Sequence, residues 1–477
     1  MRTITQLAVV GLVAVVGPAV VGQSSPEAPS IADAYRNAAE RIIQATLAGN
    51  DGYTKLEELC DGIGHRLSGS PQLDQAIHWA ADAMRADGQE NVRIEKVMVP
   101  HWVRGKESLT MTEPRRAPIA MLGLGGSVGT PPEGITAAVV VVRNEDELEA
   151  LGEDARGKIV LFNNPMPTYD PERGSGYGTT VRFRSNGARL ASEKGAVACL
   201  VRSVTAHSLR SPHTGAMRYG DAKVKIPAAA VSTEDAAMIA RLQARGVPVV
   251  VTLNMEAQTL DPAVSGNVIG ELRGSTDPDE IVVIGGHIDS WDVGQGAHDD
   301  GTGCVMAMEA INVLRRLNMI PRRTIRVVLW TNEENGLAGA RQYAKDHADE
   351  LANHVAAIES DSGGFRPVGY SVDCADETRL GIAAEQLHDI LSLLESIGAT
   401  DVETGFSGAD VGPMKDSGVI LMGHRVEGLK YFNYHHSQAD TLDKVDPQEF
   451  SQNVAVMATV AYILADMPQR LGEAGSP

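Results

Sequence analysis

The segment I-V-V-I-G-G-H-I-D-S-W-D (281–292) decides the fold, because an uninterrupted apolar run leads directly into two glycines, a histidine and two aspartates. Such a run is typical of a strand that is buried on both faces of a parallel sheet. In sheets of this kind, ligands bind outside the carboxyl ends of the strands. We therefore expect His287, which follows the run, to face a functional site.

Two later segments repeat the pattern of an apolar run that ends in acidic residues. The run I-R-V-V-L-W (325–330) precedes Glu333 and Glu334. The run H-V-A-A-I (354–358) precedes Asp361. From about residue 266 onward, strand, loop and helix alternate in this way. The alternation predicts an α/β fold with a mostly parallel central sheet flanked by helices.

Two further motifs add residue types that a metal centre needs. A-H-D-D-G-T-G (297–303) contains Asp299, and Y-H-H-S-Q-A-D-T (434–441) contains His436. Imidazole nitrogen and carboxylate oxygen are the usual ligands of a zinc ion that acts as a hydrolytic Lewis acid. The complete set of candidate ligands is His287, Asp299, Glu334, Asp361 and His436.

This set has the composition of a site for two metal ions. Two ions about 3.5–4 Å apart share a bridging ligand and activate a water molecule between them. A further carboxylate that binds no metal must carry the proton to the leaving amine. The chain supplies two histidines, two terminal carboxylates, one bridging carboxylate and one additional glutamate, Glu333.

Each motif alone is a weak signal. A Glu-Glu pair is usually solvated surface, and any one of the 13 histidines is more often structural than a metal ligand. D-D-G is usually a turn, and before an apolar segment it also makes a good helix start. The order of the motifs and their positions after apolar runs are what favour a metal centre.

The N-terminus has the features of an export signal. Arg2 is followed by an apolar stretch from Leu7 to Val21 and then by polar residues. The stretch is shorter than the roughly 20 residues that a membrane-spanning helix needs. We therefore expect a signal peptide at residues 1–22 and a secreted or periplasmic protein, with an uncleaved anchor as the alternative.

The rest of the chain divides into two kinds of region. Residues 31–60 and Gln72 to Asp87 have helical periodicity, and 91–100 alternates like a strand. A valine-rich region follows, with strands predicted at 137–142, 158–162, 197–201 and 248–253. The resulting division is a catalytic domain in two parts, 23–117 and 259–477, with a smaller β-rich domain, 118–258, inserted between them.

Size and composition exclude some classes of protein. The chain has 477 residues, more than one core usually contains, so two domains are expected. The 42 basic and 62 acidic residues give a net charge of −20, which argues against nucleic acid or an anionic membrane as the main partner. The four cysteines are widely separated and indicate neither a zinc finger nor a disulfide scaffold.

The ligand motifs resemble those of the co-catalytic double-zinc exopeptidases, a family that includes bacterial secreted aminopeptidases and glutamate carboxypeptidase. The resemblance implies two zinc ions per chain. His287 and Asp361 would bind one ion, and Glu334 and His436 would bind the other. Asp299 would bridge the two ions.

The same resemblance implies roles for residues that bind no metal. Glu333 would be the general base and then the general acid. Asp289 would be the carboxylate that orients a ligand imidazole, with Asp292 as its competitor. The peptide bond between Asp299 and Asp300 would be cis. The inserted region would be a protease-associated domain, and the protein would be a homodimer.

Two ligand assignments stay open in the sequence. His435 adjoins His436, and only the continuation H-S-x-x-D-T favours the second histidine. Asp300 adjoins Asp299, and the register of A-x-D-D-G-x-G favours the first aspartate. The segment G-F-S-G-A-D (405–410) resembles the family's pocket-wall loop.

The function that these features predict is hydrolysis of dipeptides or short peptides by a carboxypeptidase or dipeptidase. An aminopeptidase is the alternative with the same metal centre, and a non-catalytic binding ectodomain is the alternative from another class. A carboxypeptidase must present a cation to the carboxylate of its substrate. The candidates in the inserted region are Arg182, Arg184, Arg218 and His213.

Overall fold

The computed structural model describes residues 30–49, 51–171 and 173–474. The predicted signal peptide at 1–22 lies outside these residues. Within them, the strands form two sheets of eight strands each.

The strands in chain order are β1 (Glu90–Val103), β2 (Glu107–Glu113), β3 (Ala117–Ile119), β4 (Met121–Gly123), β5 (Ile135–Val142), β6 (Ile159–Phe162), β7 (Ala198–Arg202), β8 (Ala228–Val231), β9 (Val250–Met255), β10 (Gln258–Leu272), β11 (Asp277–His287), β12 (Arg323–Trp330), β13 (His354–Glu359), β14 (Pro367–Asp373), β15 (Asp401–Thr404) and β16 (Ile420–Val426). The helices are α1 (Ile31–Leu47), α2 (Asp51–Glu57), α3 (Pro71–Ala86), α4 (Glu145–Leu151), α5 (Tyr177–Thr180), α6 (Arg182–Glu193), α7 (Thr233–Ala244), α8 (Thr302–Arg316), α9 (Ala338–Asp346), α10 (Glu377–Leu391), α11 (Tyr431–Tyr434) and α12 (Pro447–Asp466).

The first sheet has the strand order β1-β10-β12-β11-β13-β16-β14-β15. Four of its seven neighbouring pairs are parallel, which confirms the predicted mostly parallel sheet in an α/β fold. β12, β11 and β13 are adjacent and parallel, so their carboxyl ends meet at one edge. Every residue of β12 and β13 is buried, because the sheet is covered on both faces.

Helices cover the two faces of this sheet. Val327 and Leu329 of β12 belong to the hydrophobic cluster that contains α8 and α12. Val328 and Trp330 point to the other face, into a cluster with residues of α9. The helices predicted at 31–60 and 72–87 are confirmed, and α3 begins where Ser70 Oγ accepts the backbone N–H of Leu73 at 3.1 Å.

The second sheet has the strand order β3-β2-β9-β5-β6-β7-β8-β4. All four strands predicted in the valine-rich region are present, as β5, β6, β7 and β9. The sheet begins with β2 at Glu107, ahead of the predicted boundary at 118, because that strand pairs with β9. The division into domains stays a prediction, while the second sheet is a feature of the structure.

The segment that contains His287 also joins the two sheets. Trp291 is buried in the core of the second sheet, and its ring lies so close to Gly125 that a Cβ there would stand 2.0 Å from Cη2. Asp292 accepts two hydrogen bonds from Arg104, at 2.9 and 2.5 Å, while Arg104 also donates to the carbonyl of Gly123 at 2.5 Å. The edge of the first sheet is therefore fixed to the second.

Two further features bear on the predictions. The four cysteines are buried and free, so the structure contains no disulfide scaffold among them. In the described part of the chain, no helix combines the length and the apolar character needed to cross a membrane.

Candidate active site

The five predicted ligands converge at the carboxyl ends of the central strands. His287 Nε2 lies 3.2 Å from Asp299 Oδ1 and 3.4 Å from Asp361 Oδ1. His436 Nε2 lies 3.3 Å from Asp299 Oδ2 and 3.0 Å from Glu334 Oε2. Asp299 thus directs one carboxylate oxygen to each of two imidazole–carboxylate pairs. This is the arrangement expected of a carboxylate between two metal positions.

Unpaired buried atoms at this place fit metal ions. Buried polar atoms in proteins nearly always form hydrogen bonds. Four atoms of the cluster are buried without a hydrogen-bond partner, namely His287 Nε2, Asp299 Oδ2, Glu334 Oε1 and Asp361 Oδ1. Because nitrogen and oxygen donors of these types bind divalent ions such as zinc, the residues fit a metal centre.

The local structure explains how each ligand reaches the cluster. His287 ends β11, Glu334 follows β12 after a short turn, and Asp361 follows β13. Asp299 lies in an irregular turn before α8, and the Asp299–Asp300 peptide bond is cis, which confirms the expectation from the resemblance. His436 lies just beyond α11.

Asp300 points away from the cluster and holds the backbone. Its carboxylate accepts hydrogen bonds from the backbone N–H groups of His287 and Gly303, both at 3.0 Å. Burial raises the pKa of Asp300 well above its ordinary value. Although burial also acts on Asp299, His287 and His436 hold the pKa of that carboxyl well below its ordinary value. Of the two aspartates, Asp299 is the one with the geometry of a ligand.

His435 and His436 both approach Asp299, and their rings stack with centroids 3.5 Å apart. His435 Nε2 is 3.8 Å from Asp299 Oδ2, and its ring packs edge-on to Tyr177 in an aromatic group. Burial lowers the pKa of His435 well below its ordinary value. His436 lies closer to Asp299 and also contacts Glu334, so the distances favour His436 as the ligand.

Asp289 was expected to orient His287 with its carboxylate, but it does so with its backbone carbonyl. His287 Nδ1 donates to the backbone carbonyl of Asp289 at 3.0 Å, while the Asp289 carboxylate is 3.8 Å from the same nitrogen. That carboxylate instead accepts the backbone N–H groups of Glu333 and Glu334, at 3.0 and 3.3 Å. Asp289 therefore orients the imidazole through its main chain and the glutamate pair through its side chain. Asp292 is engaged with Arg104 instead.

A cavity of about 870 Å³ opens beside the cluster, and both sheets contribute to its lining. Glu333 lines it and, among the described lining residues, is the one carboxylate outside the candidate ligands. Burial raises the pKa of Glu333 well above its ordinary value. Tyr177 and Phe432 stack in the wall at a centroid distance of 4.7 Å. The loop predicted at 405–410 also reaches the wall, through Phe406.

The predicted cationic candidates separate into two groups. Arg184 and Arg218 line the cavity. Arg182 forms an ion pair with Glu145 at the surface instead. His213 donates to the carbonyl of His435 at 2.6 Å, and burial lowers its pKa to about 4, so it is neutral near pH 7.

Two residues of this region were not predicted from the sequence. Arg425, near the end of β16, also lines the cavity and pairs with Glu403. It follows shortly after the apolar run V-I-L-M (419–422), and that run was a signal that could have identified it. Glu359 accepts the backbone N–H groups of residues 409–411 at 2.8 to 3.0 Å and fixes the pocket-wall loop. No motif of the sequence marks that contact.

The fold and the cluster are those of a candidate metal-dependent hydrolase, and comparison with known proteins identifies the chain as a metallo-exopeptidase and gives its family. A model of peptidase family M28 matches residues 267–461. The chain belongs to peptidase family M28 and is a hydrolase of peptide bonds.

The particular relatives agree with the sequence. Carboxypeptidase Q of Mus musculus is 42% identical over 440 residues, which cover 92% of this chain and 91% of that protein. Stretches outside the ligand motifs, such as R-L-S-G-S (66–70) and G-T-P-P-E-G-I-T-A (129–137), also resemble that protein, which is known as plasma glutamate carboxypeptidase too, and the identity over the chain confirms the resemblance.

Solved structures agree with this fold. An M28 peptidase precursor from Shewanella amazonensis SB2B superposes with a TM-score of 0.87 at 37% identity, over 93% of this chain and 99% of that chain. A zinc aminopeptidase from Bacillus subtilis has a TM-score of 0.62 at 20% identity, over 88% and 96% of the two chains. At that identity, the second likeness shows the fold alone.

Proposed function

We propose that this enzyme is a two-zinc exopeptidase that hydrolyses dipeptides or short peptides from the carboxyl end, as a carboxypeptidase or dipeptidase. The observation that carries the proposal is the cluster of His287, Asp299, Glu334, Asp361 and His436, with its unpaired buried atoms, beside a cavity of about 870 Å³. Two bound zinc ions would polarise the substrate carbonyl and lower the pKa of a water molecule.

The residues of the chain then have distinct tasks. His287 and Asp361 would hold one ion and Glu334 and His436 the other, with Asp299 between them. The His287 Nδ1–H bond to a carbonyl leaves the Nε2 lone pair directed at the cluster.

Glu333 is the proposed proton carrier. It lines the cavity beside the candidate ligands, and its backbone N–H is fixed by Asp289 at 3.0 Å. We propose that its carboxylate takes a proton from the attacking water and passes it to the leaving amine. A rigid backbone at this point would keep the carboxylate at a fixed place in the cavity wall.

The charge of the cavity wall supports recognition of the carboxyl end of the substrate. The chain carries 62 acidic and 42 basic residues, so a random wall would be mainly acidic. Outside the candidate ligands and Glu333, however, the charged side chains among the described lining residues are Arg184, Arg218 and Arg425. An aminopeptidase needs groups that accept hydrogen bonds from an ammonium group, whereas arginines bind carboxylates.

Three expectations complete the proposal. The protein would be exported by the signal peptide at 1–22, would act as a homodimer, and would contain residues 118–258 as an inserted protease-associated domain. The second sheet and its contacts with Trp291 support the last of these.

A substrate panel together with metal analysis tests the proposal. The purified protein should contain two zinc ions per chain and should cleave Leu-Phe but lose this activity with the C-terminal amide of Leu-Phe. An enzyme that cleaves the amide normally but does not cleave N-acetyl-Leu-Phe would be an aminopeptidase. A protein that binds both ions but cleaves none of the three peptides would be a binding ectodomain.

A further inference from the structure

Arg184 is a buried cation that has no anionic partner among the residues that the structure describes. Arg184 is 8% exposed, and no carboxylate oxygen of the described residues lies within 4.0 Å of its guanidinium. Its Nε is buried and forms no hydrogen bond. The other buried arginines are satisfied: Arg323 pairs with Glu280 and Arg326 with Glu271, while Arg66 donates to four backbone carbonyls. An unpaired buried charge is costly, so such a residue implies a ligand that supplies the anion.

The surroundings of Arg184 form a built site. Its guanidinium carbon lies 5.5 Å from the ring centroid of Tyr177, a distance typical of a cation–π contact. Gly215 leaves the space that the guanidinium fills, because a Cβ there would lie 2.5 Å from Cζ. α6 brings the residue from the second sheet to the cavity wall, beside the candidate ligands of the first sheet.

The contact between Arg184 and His436 places the guanidinium beside the candidate metal centre. Nη1 of Arg184 is 3.2 Å from His436 Nδ1, and the carbonyl of Thr214 is 3.3 Å from the same nitrogen. Arg184 lines the cavity, and its Nε is a donor without a partner among the described residues.

We infer that Arg184 binds the α-carboxylate of the substrate and that it makes this site specific for a peptide whose carboxyl end lies one residue beyond the bond that is cleaved. The inference rests on the proposed function. Because Arg184 contacts a candidate metal ligand, a carboxylate bound to it lies close to the metal centre. The guanidinium lies one imidazole ring away from the candidate metal position, a separation of the size of a single leaving residue.

The other two cavity arginines have features that suit them less well to this task. Arg425 already has an anionic partner, Glu403. Arg218 is exposed, so its charge is solvated and a carboxylate gains less by binding to it. Arg184 combines burial, an unpaired donor and the position next to His436.

The test compares Arg184→Met with Arg182→Met, an arginine on the same helix that pairs with Glu145 at the surface. We expect Arg184→Met to retain its zinc and to lower kcat/KM for Leu-Phe about 10- to 100-fold, mainly through KM. Arg182→Met should leave kcat/KM within about twofold. Arg184→Lys, which keeps the charge but loses the planar fork, should lie between the two and guards against a folding defect of the first variant.

A binding measurement separates recognition from catalysis. By calorimetry, the zinc-loaded parent should bind phenylalanine more tightly than phenylalaninamide, and Arg184→Met should bind the two alike. The inference would be overturned if the parent bound the two ligands equally, or if Arg184→Met lost affinity for both ligands to the same extent. If the parent cleaves the amide of Leu-Phe as well as Leu-Phe itself, the proposed polarity fails, whatever the Arg184 variants show.

Discussion

Both sheets contribute to the lining of one cavity, but the side chains that they bring to it have opposite charges. The first sheet contributes acids and an imidazole from the ends of parallel strands, as His287, Glu334 and Asp361 show. The second region contributes Arg184 from a helix and the Thr214 carbonyl from a loop. The difference suggests that the region of the first sheet carries out the hydrolysis. The region of the second sheet would bind the substrate and orient one ligand of the first.

Replacing Glu333 tests the chemical side of this comparison and should have the largest effect. We expect Glu333→Gln to lower kcat about 10²- to 10⁴-fold, because the amide cannot transfer the proton. Its zinc content should stay that of the parent. Glu385→Gln, at an exposed position of α10, is the control. A Glu333→Gln enzyme with normal kcat and full zinc content would exclude the proposed role.

Replacing Arg104 tests whether the two regions depend on each other for stability. Arg104→Met leaves the partly buried carboxylates of Asp292 and Glu107 without their cationic partner, so the free energy of unfolding should fall by about 3 kcal/mol. Arg156→Met breaks an exposed ion pair with Glu153 and should cost less than about 1 kcal/mol. Urea denaturation measures both. Equal losses would mean that the pair at the junction contributes no more than a surface pair.

Adding a methyl group at Gly125 tests the contact with Trp291 in a smaller step. A Cβ would stand 2.0 Å from Cη2, so Gly125→Ala should lower the free energy of unfolding by about 1–3 kcal/mol. We also expect weaker zinc retention during dialysis against a chelator, because Trp291 belongs to the segment of His287. Gly178→Ala has open space around its Cβ and is the control. Unchanged zinc retention would show that the two regions are mechanically independent.

Removing the pH-dependent ion pairs of His347 should have the smallest effect on stability. Although burial opposes it, Glu95 and Glu350 raise the pKa of His347 above its ordinary value. The stabilisation is therefore complete below about pH 6.5 and is lost as the pH rises through the folded-state pKa. His347→Gln should cost up to about 1 kcal/mol at pH 6 and less at pH 9, by urea denaturation.

The control for this variant is His78→Gln, at an exposed histidine of α3. A cost of His347→Gln that does not change between pH 6 and pH 9 would contradict the assignment. Neither variant should change kcat, because neither residue is among the described residues that line the cavity.

The parts of the site that the sequence predicted are those set by local pattern. Apolar runs placed His287, Glu334 and Asp361 at strand ends because burial on both faces requires such runs. The second sheet was visible for the same reason, although its first strand at Glu107 was missed. A single strand does not reveal which distant strand it pairs with.

The parts that the sequence could not predict depend on contacts between distant residues. Arg184 and His436 are 252 positions apart, and nothing local to either residue marks their contact. The orientation of Asp289 was also out of reach, because carbonyl and carboxylate belong to the same residue and only the fold decides which faces His287. Conformation, rather than residue type, determines these roles.

The placement of Trp291 has a consequence for the order of events during synthesis. The candidate ligands span residues 287 to 436, and the segment of the first ligand is held in place by the core of the other sheet. A nascent or partly folded chain therefore lacks both a complete ligand set and the support for its first histidine. The site as proposed can therefore be complete only after His436 has been made and both cores have closed.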